Sequence, residues 1–444
     1  MLLPDLQTRT QAPVLVPPSL PTPFECLYLS NLDDQLFLRF SIKYLFLYHR
    51  KDNDKENDGD AGERIKTALG RVLVYYYPLA GRLRRSEKEP DKLEVVCNGE
   101  GALFVQAHSD LTLQEFQRLP KPCKSWRKLL HKVQADSFVD IPPLVVQVTE
   151  LKGGGVVVCV AISHCLCDGL GSSQFVHTWA QIARKATDMD PFPLPYWGRE
   201  LLRPRNPLQI QYSHPEFRPV PDLCNLKSRL SSDTLVRTSL RFTGDQLSAL
   251  KRTVCNDKDG TTCTSFEAIS SHIWRCWIRA MGLPGGQSIK LLFSANVRHK
   301  LQPQLPAGFY GNAFVLACAE STVDELTERP LSYAVQLLQK AKARLSDDYV
   351  RSVIDYLADK SVRPDMVASL VISQWSRMEL MEVDFGWGKP LHAGPLASDI
   401  YCLLLPSSSA PNAALDVLLS LPESVLHRYA FYMRSISDFA PKSP

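Results

Sequence analysis

Val156-Val157-Val158-Cys159-Val160-Ala161-Ile162-Ser163-His164-Cys165-Leu166-Cys167-Asp168-Gly169 is the stretch that decides how the rest of the chain is read. Its unbroken apolar run lacks the alternation of a half-exposed strand, so it predicts a strand buried on both faces. The run then delivers a histidine and, four positions later, an aspartate. Gly169 and Gly171 predict a tight turn there, with the aspartate off any continuing helix. A histidine fixed at the end of a rigid strand is held as a general base needs to be. Alone, His-x-x-x-Asp is a weak signal, because two common residue types at one spacing also describe a buried histidine bonded to a neighbouring carboxylate.

Working outward toward the N-terminus, Leu144 to Val148 predicts a strand feeding the histidine strand through a Gly154-Gly155 turn. Leu93 to Cys97, Ala102 to Ala107 and the aromatic-rich Phe40 to Tyr48 predict further strands. From Arg64, the residues Ile65, Leu69 and Val72/Leu73 recur at helical spacing until Pro78. Lys51 to Glu63 is a charge run expected to be a solvated loop. Pro13 to Pro23 predicts an extended lead-in.

Toward the C-terminus, Phe175, Val176, Trp179, Ile182 and Ala183 form a helical stripe suited to core packing. Asp190 to Pro221 holds many prolines and little periodicity, and predicts a linker between domains. The second half opens near Ser232. There Thr264-Ser265-Phe266-Glu267 is a capping box that starts a helix ending at Gly282, with Ile269, Ile273 and Cys276/Trp277 on its apolar side. Ile289 to Ala295 and Leu415 to Leu421 predict strands. Leu331, Val335, Leu338 and Leu345 predict a helix with Pro330 in its first turn, and Glu423 to Ile436 a final one. The chain so divides into residues 1–189, a crossover over 190–231, and residues 232–444, without an internal repeat.

Composition narrows the function. A chain of 444 residues has room for two domains, and 45% hydrophobic with 22% charged residues is ordinary for a globular enzyme. A net charge of +4, with no basic cluster interleaved with aromatics, gives no sign of a nucleic-acid partner. The 12 cysteines show no metal-ligand spacing, so no metal is expected. Neither a signal peptide nor an apolar run of about 18 residues is seen, so a cytosolic protein with reduced cysteines is expected. The chain has no G-x-S-x-G, P-loop, G-x-G-x-x-G or H-E-x-x-H pattern.

Far downstream stands Asp384-Phe385-Gly386-Trp387-Gly388. With His164-x-x-x-Asp168 before it, the chain resembles the BAHD family of plant acyl-CoA-dependent acyltransferases, whose signatures are HxxxD and DFGWG in that order. Tyr77-Pro78-Leu79-Ala80-Gly81-Arg82-Leu83 and Tyr310-Gly311-Asn312 extend the resemblance along nearly the whole chain. It implies a plant source and a mixed α/β fold of two chloramphenicol-acetyltransferase-like domains. Each would be a mixed sheet flanked by helices, with a solvent channel between the two. It also implies a monomer with no permanently bound cofactor, taking acyl-CoA as co-substrate and a small alcohol as acceptor.

In that frame His164 would take the proton of the acceptor hydroxyl. Unperturbed imidazole titrates near 6.5, so it is mostly neutral at cytosolic pH. Asp168 has two readings: a partner that orients His164, or the family's structural role, pointing away and pairing with an arginine for which Arg298 is the candidate. Asp384, which the signature would mark as catalytic, is likewise expected to hold a loop through an ion pair. Trp387 would either donate its indole N–H to the oxyanion or substrate, or be a packed aromatic. Gly386 and Gly388 would serve backbone geometry. Coenzyme A would meet Thr264, Ser265, Ser294, Asn296, Arg298, Ser373 and Arg377, the last also matching a position that holds an acceptor carboxylate in some relatives. Thr264 is equally readable as a helix cap alone. A covalent route through Cys165 or Cys167 is disfavoured, because neighbours in an extended turn point in different directions.

Leu29-Ser30-Asn31-Leu32-Asp33-Asp34-Gln35, Tyr76-Tyr77-Pro78 and Leu166-Cys167-Asp168-Gly169-Leu170-Gly171 look most like the branch that moves feruloyl groups onto ω-hydroxy fatty acids and fatty alcohols. Relatives in that branch also use benzoyl or acetyl donors, on monolignols, terpenoids or amines. A non-catalytic family member that tunes fatty-acid elongation is the reading from another class. Such members commonly lose one signature, and here both are intact.

Overall fold

In the computed structural model the Val156–Ile162 run lies within a strand, Gly155–Ser163, every residue of which is buried. The model describes residues 6–50, 60–89, 91–119, 124–184, 193–255, 262–396, 401–406 and 414–435. The reason for two-sided burial is visible in the packing. Val156, Val158, Val160 and Ile162 face one apolar cluster, with Trp179 and Phe175. Val157, Cys159 and Ala161 face another, with Phe116 and Trp126. Such a strand has no polar face to expose, and its sequence shows none.

In chain order the strands are β1 (Thr8–Thr10), β2 (Val14–Val16), β3 (Glu25–Tyr28), β4 (Ser41–His49), β5 (Arg82–Arg85), β6 (Leu93–Cys97), β7 (Ala102–Thr112), β8 (Leu144–Lys152), β9 (Gly155–Ser163), β10 (Leu235–Phe242), β11 (Ser288–Asn296), β12 (Phe314–Thr322), β13 (Ser369–Gln374), β14 (His392–Pro395), β15 (Cys402–Pro406) and β16 (Leu415–Pro422). The longer helices are α1 (Ala61–Tyr75), α2 (Gly169–Ala183), α3 (Gly244–Val254), α4 (Ser265–Met281), α5 (Leu331–Ala343), α6 (Asp347–Tyr356) and α7 (Leu426–Arg434). One mixed sheet runs β1-β7-β8-β9-β4-β14 with β2 also on β7, a second runs β10-β16-β15-β13-β11-β12, and β3-β6-β5 form a small third. This is the two-sheet mixed α/β architecture expected. The second sheet and α3 to α7 share one large apolar core, including Trp274, Ile273 and Leu338.

β14 departs from the division by chain order. It pairs antiparallel with Tyr44–Leu47 of β4, so residues from the second half complete the first sheet. Phe385, Trp387 and Val383 likewise pack in the first core, not the second.

Smaller differences have local causes. α1 begins at Ala61, inside the expected charged loop, because the Asp60 carboxylate caps Gly62 N–H; residues 51–59 of that loop lie outside the described residues. The proline-rich lead-in is extended, and its Val14–Val16 adds an edge strand to β7, a position proline-bounded segments tolerate. Gly169 and Gly171 do not form a separate turn: they are the first turn of α2, with Asp168 as its N-cap. A Cβ on Gly171 would lie 2.8 Å from Cys167 Cβ, so the close approach needs glycine. Pro330 is the N-cap of α5 rather than inside it, and Leu345 lies past its end. The linker is more built than expected: among its described residues Tyr196 bridges Phe309, and Arg199, in a short 3-10 turn, is wholly buried. The start of the linker and Ile436 lie outside the described residues. No helix among the described residues is long and apolar enough to cross a membrane.

Candidate active site

β9 ends at Ser163, and His164 stands just beyond it, its N–H held by Phe40 carbonyl at 2.8 Å. Its ring faces the meeting of the two halves. Phe40 of the first half lies edge-on at 5.2 Å and Phe314 of the second at 5.8 Å, with Tyr401 beyond Phe40 at 6.3 Å. Nδ1 is 3.1 Å from Oδ1 of Asn312, in the loop before β12. His164 as a whole residue is partly exposed, while its ring lies in dense surroundings. Burial pushes its pKa below the ordinary imidazole value, against the raising influence of its hydrogen bonds and of Asp168 and Asp33. A neutral imidazole is a competent general base.

Asp168 does not touch the imidazole. Its carboxylate accepts from Arg298 at 2.7 and 3.1 Å, from Gly171 N–H at 3.0 Å and from Ala313 N–H at 3.1 Å. Burial pushes the carboxyl up, but Arg298 and the two backbone donors outweigh this and hold it below the ordinary aspartate value. Asp168 thus ties the end of β9 and the start of α2 to the second sheet. Of its two readings the geometry fits the one that pairs it with Arg298.

Arg298 also donates to the Gly311 carbonyl at 3.0 Å, and Asn296 Oδ1 accepts from Arg298 N–H at 3.1 Å. Arg298 is therefore engaged in joining the two halves, and Asn296, exposed beside it, makes only this local contact. Thr264 caps α4, accepting from Glu267 N–H at 3.2 Å, and the full capping box forms. Ser265 is exposed beside it. Phe266 meets Phe293 at 5.5 Å, and Phe293 pairs in parallel with Ile372. Ser294 and Ser373 follow Phe293 and Ile372 on these two parallel strands, so alternation turns their side chains to the sheet face opposite the one that meets the helix led by Thr264 and Ser265. Arg377 is exposed, next to Met378, whose sulfur packs on Gly169.

The DFGWG loop is elsewhere. Trp387 packs on Tyr48 at 5.5 Å and under the Arg64 guanidinium at 4.6 Å. Tyr48 is at the far end of β4 from Ser41, which pairs with Ser163. At about 3.3 Å per residue the seven steps between them put Trp387 on the order of 23 Å from His164. That separation keeps the indole N–H away from His164, and the contacts of Trp387 with Tyr48 and Arg64 are those of a packed aromatic. Among the described residues that N–H meets no acceptor. Asp384 Oδ1 accepts from Gly386 N–H at 2.7 Å and Gly388 N–H at 2.8 Å, and Oδ2 lies 3.4 Å from Arg184. Gly386 and Gly388 have φ of 102° and 84°, which side chains resist. The motif is a loop clasp.

Cys165 and Cys167 are buried, and burial pushes both thiols up, Cys167 to about 12. Buried thiols so shifted are poor sources of thiolate, which counts against the covalent route. Sequence reasoning missed Asn312, Asp33 and Arg199 around the imidazole. Asp33 and Asn312 lay in quoted stretches, but nothing in their spacing linked them to His164.

The model of the Transferase family matches residues 7–431. The chain is 36% identical over 427 residues to an omega-hydroxypalmitate O-feruloyl transferase of Arabidopsis thaliana, covering 95% of this chain and 91% of that one. It is 39% identical over 391 residues to a benzyl alcohol O-benzoyltransferase of Petunia hybrida, covering 87% and 83%. The crystal structure of vinorine synthase superposes with a TM-score of 0.74 at 21% identity, covering 95% and 96%. The chain therefore belongs to the Transferase family, the BAHD acyltransferases that its two signatures resemble, and is an acyl-CoA-dependent O-acyltransferase.

Proposed function

We propose that this enzyme moves an aromatic acyl group, hydroxycinnamoyl foremost, from its coenzyme A thioester to the hydroxyl of an ω-hydroxy fatty acid or fatty alcohol. The observation that carries the proposal is the imidazole of His164, neutral and set between Phe40 and Phe314 at the meeting of the two halves. The ring nitrogen not engaged with Asn312 takes the acceptor's hydroxyl proton as the oxygen attacks the thioester carbonyl. The tetrahedral intermediate then expels the thiolate, and the imidazolium returns the proton to sulfur, giving ester and free coenzyme A. Thr264, Ser265, Ser294 and Ser373 would receive the coenzyme's polar groups, with Arg377 near the acceptor.

Aromatic rings around the base support an aromatic acyl group or an apolar acceptor, since ring pairs add about 0.5–1.5 kcal/mol beyond burial. The relatives' names support the same choice: one moves a feruloyl group to ω-hydroxypalmitate, the other a benzoyl group to benzyl alcohol. The test is a donor-by-acceptor panel. Feruloyl-, benzoyl- and acetyl-CoA are each offered with a long-chain alcohol and with benzyl alcohol, and thiol release is followed for wild type and His164→Ala. The highest kcat/KM is expected for feruloyl-CoA with the long-chain alcohol. Preference for benzoyl-CoA would replace the donor assignment, and equal release by His164→Ala would overturn the mechanism.

A further inference from the structure

The hydrogen bonds behind His164 form a closed chain that runs through a carboxylate. Asn312 is wholly buried. Its Nδ2 donates to Asp33 Oδ1 at 2.9 Å and to the His164 carbonyl at 2.7 Å, and its backbone N–H donates to the same Asp33 oxygen at 2.7 Å. Asp33, also wholly buried, accepts at Oδ2 from Ser30 N–H at 3.0 Å and Ser30 hydroxyl at 2.6 Å. That oxygen is 3.3 Å from Arg199 Nε, in an ion pair with no solvent exposure on either side. Arg199 comes from the crossover segment and donates to Leu166 carbonyl at 2.6 Å.

The two ends of an amide have nearly the same shape, so partners decide which way it faces. A carboxylate and a carbonyl only accept. Both partners of Asn312 Nδ2 are of that kind, and both its hydrogens are used. Its oxygen must then face the imidazole, and an oxygen needs a donor, so Nδ1 carries the ring proton. In a neutral imidazole the remaining nitrogen, Nε2, is then bare. A reversed amide would present N–H to Nδ1, put the ring proton on Nε2 and disable the base.

We propose that Asn312, oriented by the Asp33–Arg199 pair, is a positioning residue that fixes His164 in the Nδ1–H tautomer and leaves Nε2 free to take the acceptor's proton. This rests on His164 being the general base. Asp33 acts one bond further back, and the crossover segment reaches the base through Arg199.

The experiment is long-range ¹H–¹⁵N NMR of the imidazole in the full-length enzyme, assigned by the signals lost in His164→Ala, with kinetics of two substitutions at Asn312. The wild-type spectrum is expected to show Nδ1–H and an unprotonated Nε2, and it needs no altered protein to be informative. Asn312→Asp keeps an acceptor opposite Nδ1, with one proton shared between its other oxygen and Asp33 in place of the lost N–H, whereas Asn312→Leu keeps bulk and removes the acceptor. Asn312→Leu should lower kcat by roughly 10²-fold or more, toward the cost of holding a catalytic imidazole in the wrong tautomer. KM for acyl-CoA should change less than about threefold, since coenzyme contacts are untouched. Asn312→Asp should regain at least about tenfold of that loss and keep the Nδ1–H signal. A wild-type ring protonated at Nε2, or equal kcat in the two folded variants, overturns the proposal. If His164→Ala is inactive while the ring proton sits on Nε2, only this proposal fails; if His164→Ala stays active, the general-base reading fails with it.

Discussion

The His164 loop and the Asp384–Gly388 loop are built alike and do different things. Each has an aspartate that accepts from the N–H groups of following residues, Gly171 in one and Gly386 with Gly388 in the other. Each aspartate also meets an arginine, Arg298 or Arg184. They differ in what surrounds them. The first stands where two sheets meet, and its histidine is partly exposed. The second is pressed onto Tyr48, Trp179 and Arg64 inside one core. Two signatures that in sequence suggest one site lie at opposite ends of β4, one holding the histidine we propose as base and the other a loop clasped by its own aspartate.

The comparison breaks or sharpens in order of expected effect. His164→Ala should lower kcat/KM by at least about 10²–10⁴-fold with the fold intact, as loss of a positioned general base does. Substrate protection against thermal unfolding, if kept, separates lost chemistry from lost binding. Asp168→Asn should come next. It strands Arg298, which is mostly buried, at a cost of about 3–5 kcal/mol, seen as a lower thermal midpoint together with lost activity. A variant as stable as wild type yet inactive would return Asp168 to a role in chemistry.

At the other loop, Asp384→Asn should cost less, on the order of 1–3 kcal/mol, because its hydrogen bonds are local and its ion pair is partly exposed. Activity per folded molecule should stay within about twofold, measured by active-site titration.

The pH dependence tests the base alone. As the proposed base His164 acts neutral and its pKa is lowered, so kcat/KM should rise with pH along an acid limb centred below the ordinary imidazole value of about 6.5. The sign for stability is the same: the unfolded chain binds that proton more readily, so this contribution is lost as pH falls through that range. An acid limb centred above 6.5 would contradict the burial argument. Trp387→Phe should do least, removing an N–H that serves no substrate; a hundredfold loss of kcat would reunite the two loops.

Much of this was legible because it is local. The two-sided apolar run of β9, the capping box at Thr264 and the αL stop at Gly282 follow from neighbours within a few residues. The Asp168–Arg298 tie was reached through the family resemblance, since no spacing rule joins residues so far apart. The position of Trp387 carried no signal: an aromatic flanked by glycines looks the same in a substrate channel and in a core. β14, His392-Ala393-Gly394-Pro395, has neither alternation nor branched residues, and only its pairing with β4 makes it a strand. The amphipathic helices α3 and α6 went unread between clearer elements. Asp33, Asn312 and Arg199 meet only because three segments converge behind the imidazole.

The late arrival of β14 bears on how the chain leaves the ribosome. Until residue 395 emerges, β4 pairs with β9 on one side only, and the other edge of its Tyr44-Leu45-Phe46-Leu47 is open. Bare apolar edges recruit other chains. A nascent first half therefore spends most of translation as a sticky, unfinished sheet, and a chain stopped short of His392 is expected to self-associate rather than survive as a free-standing domain.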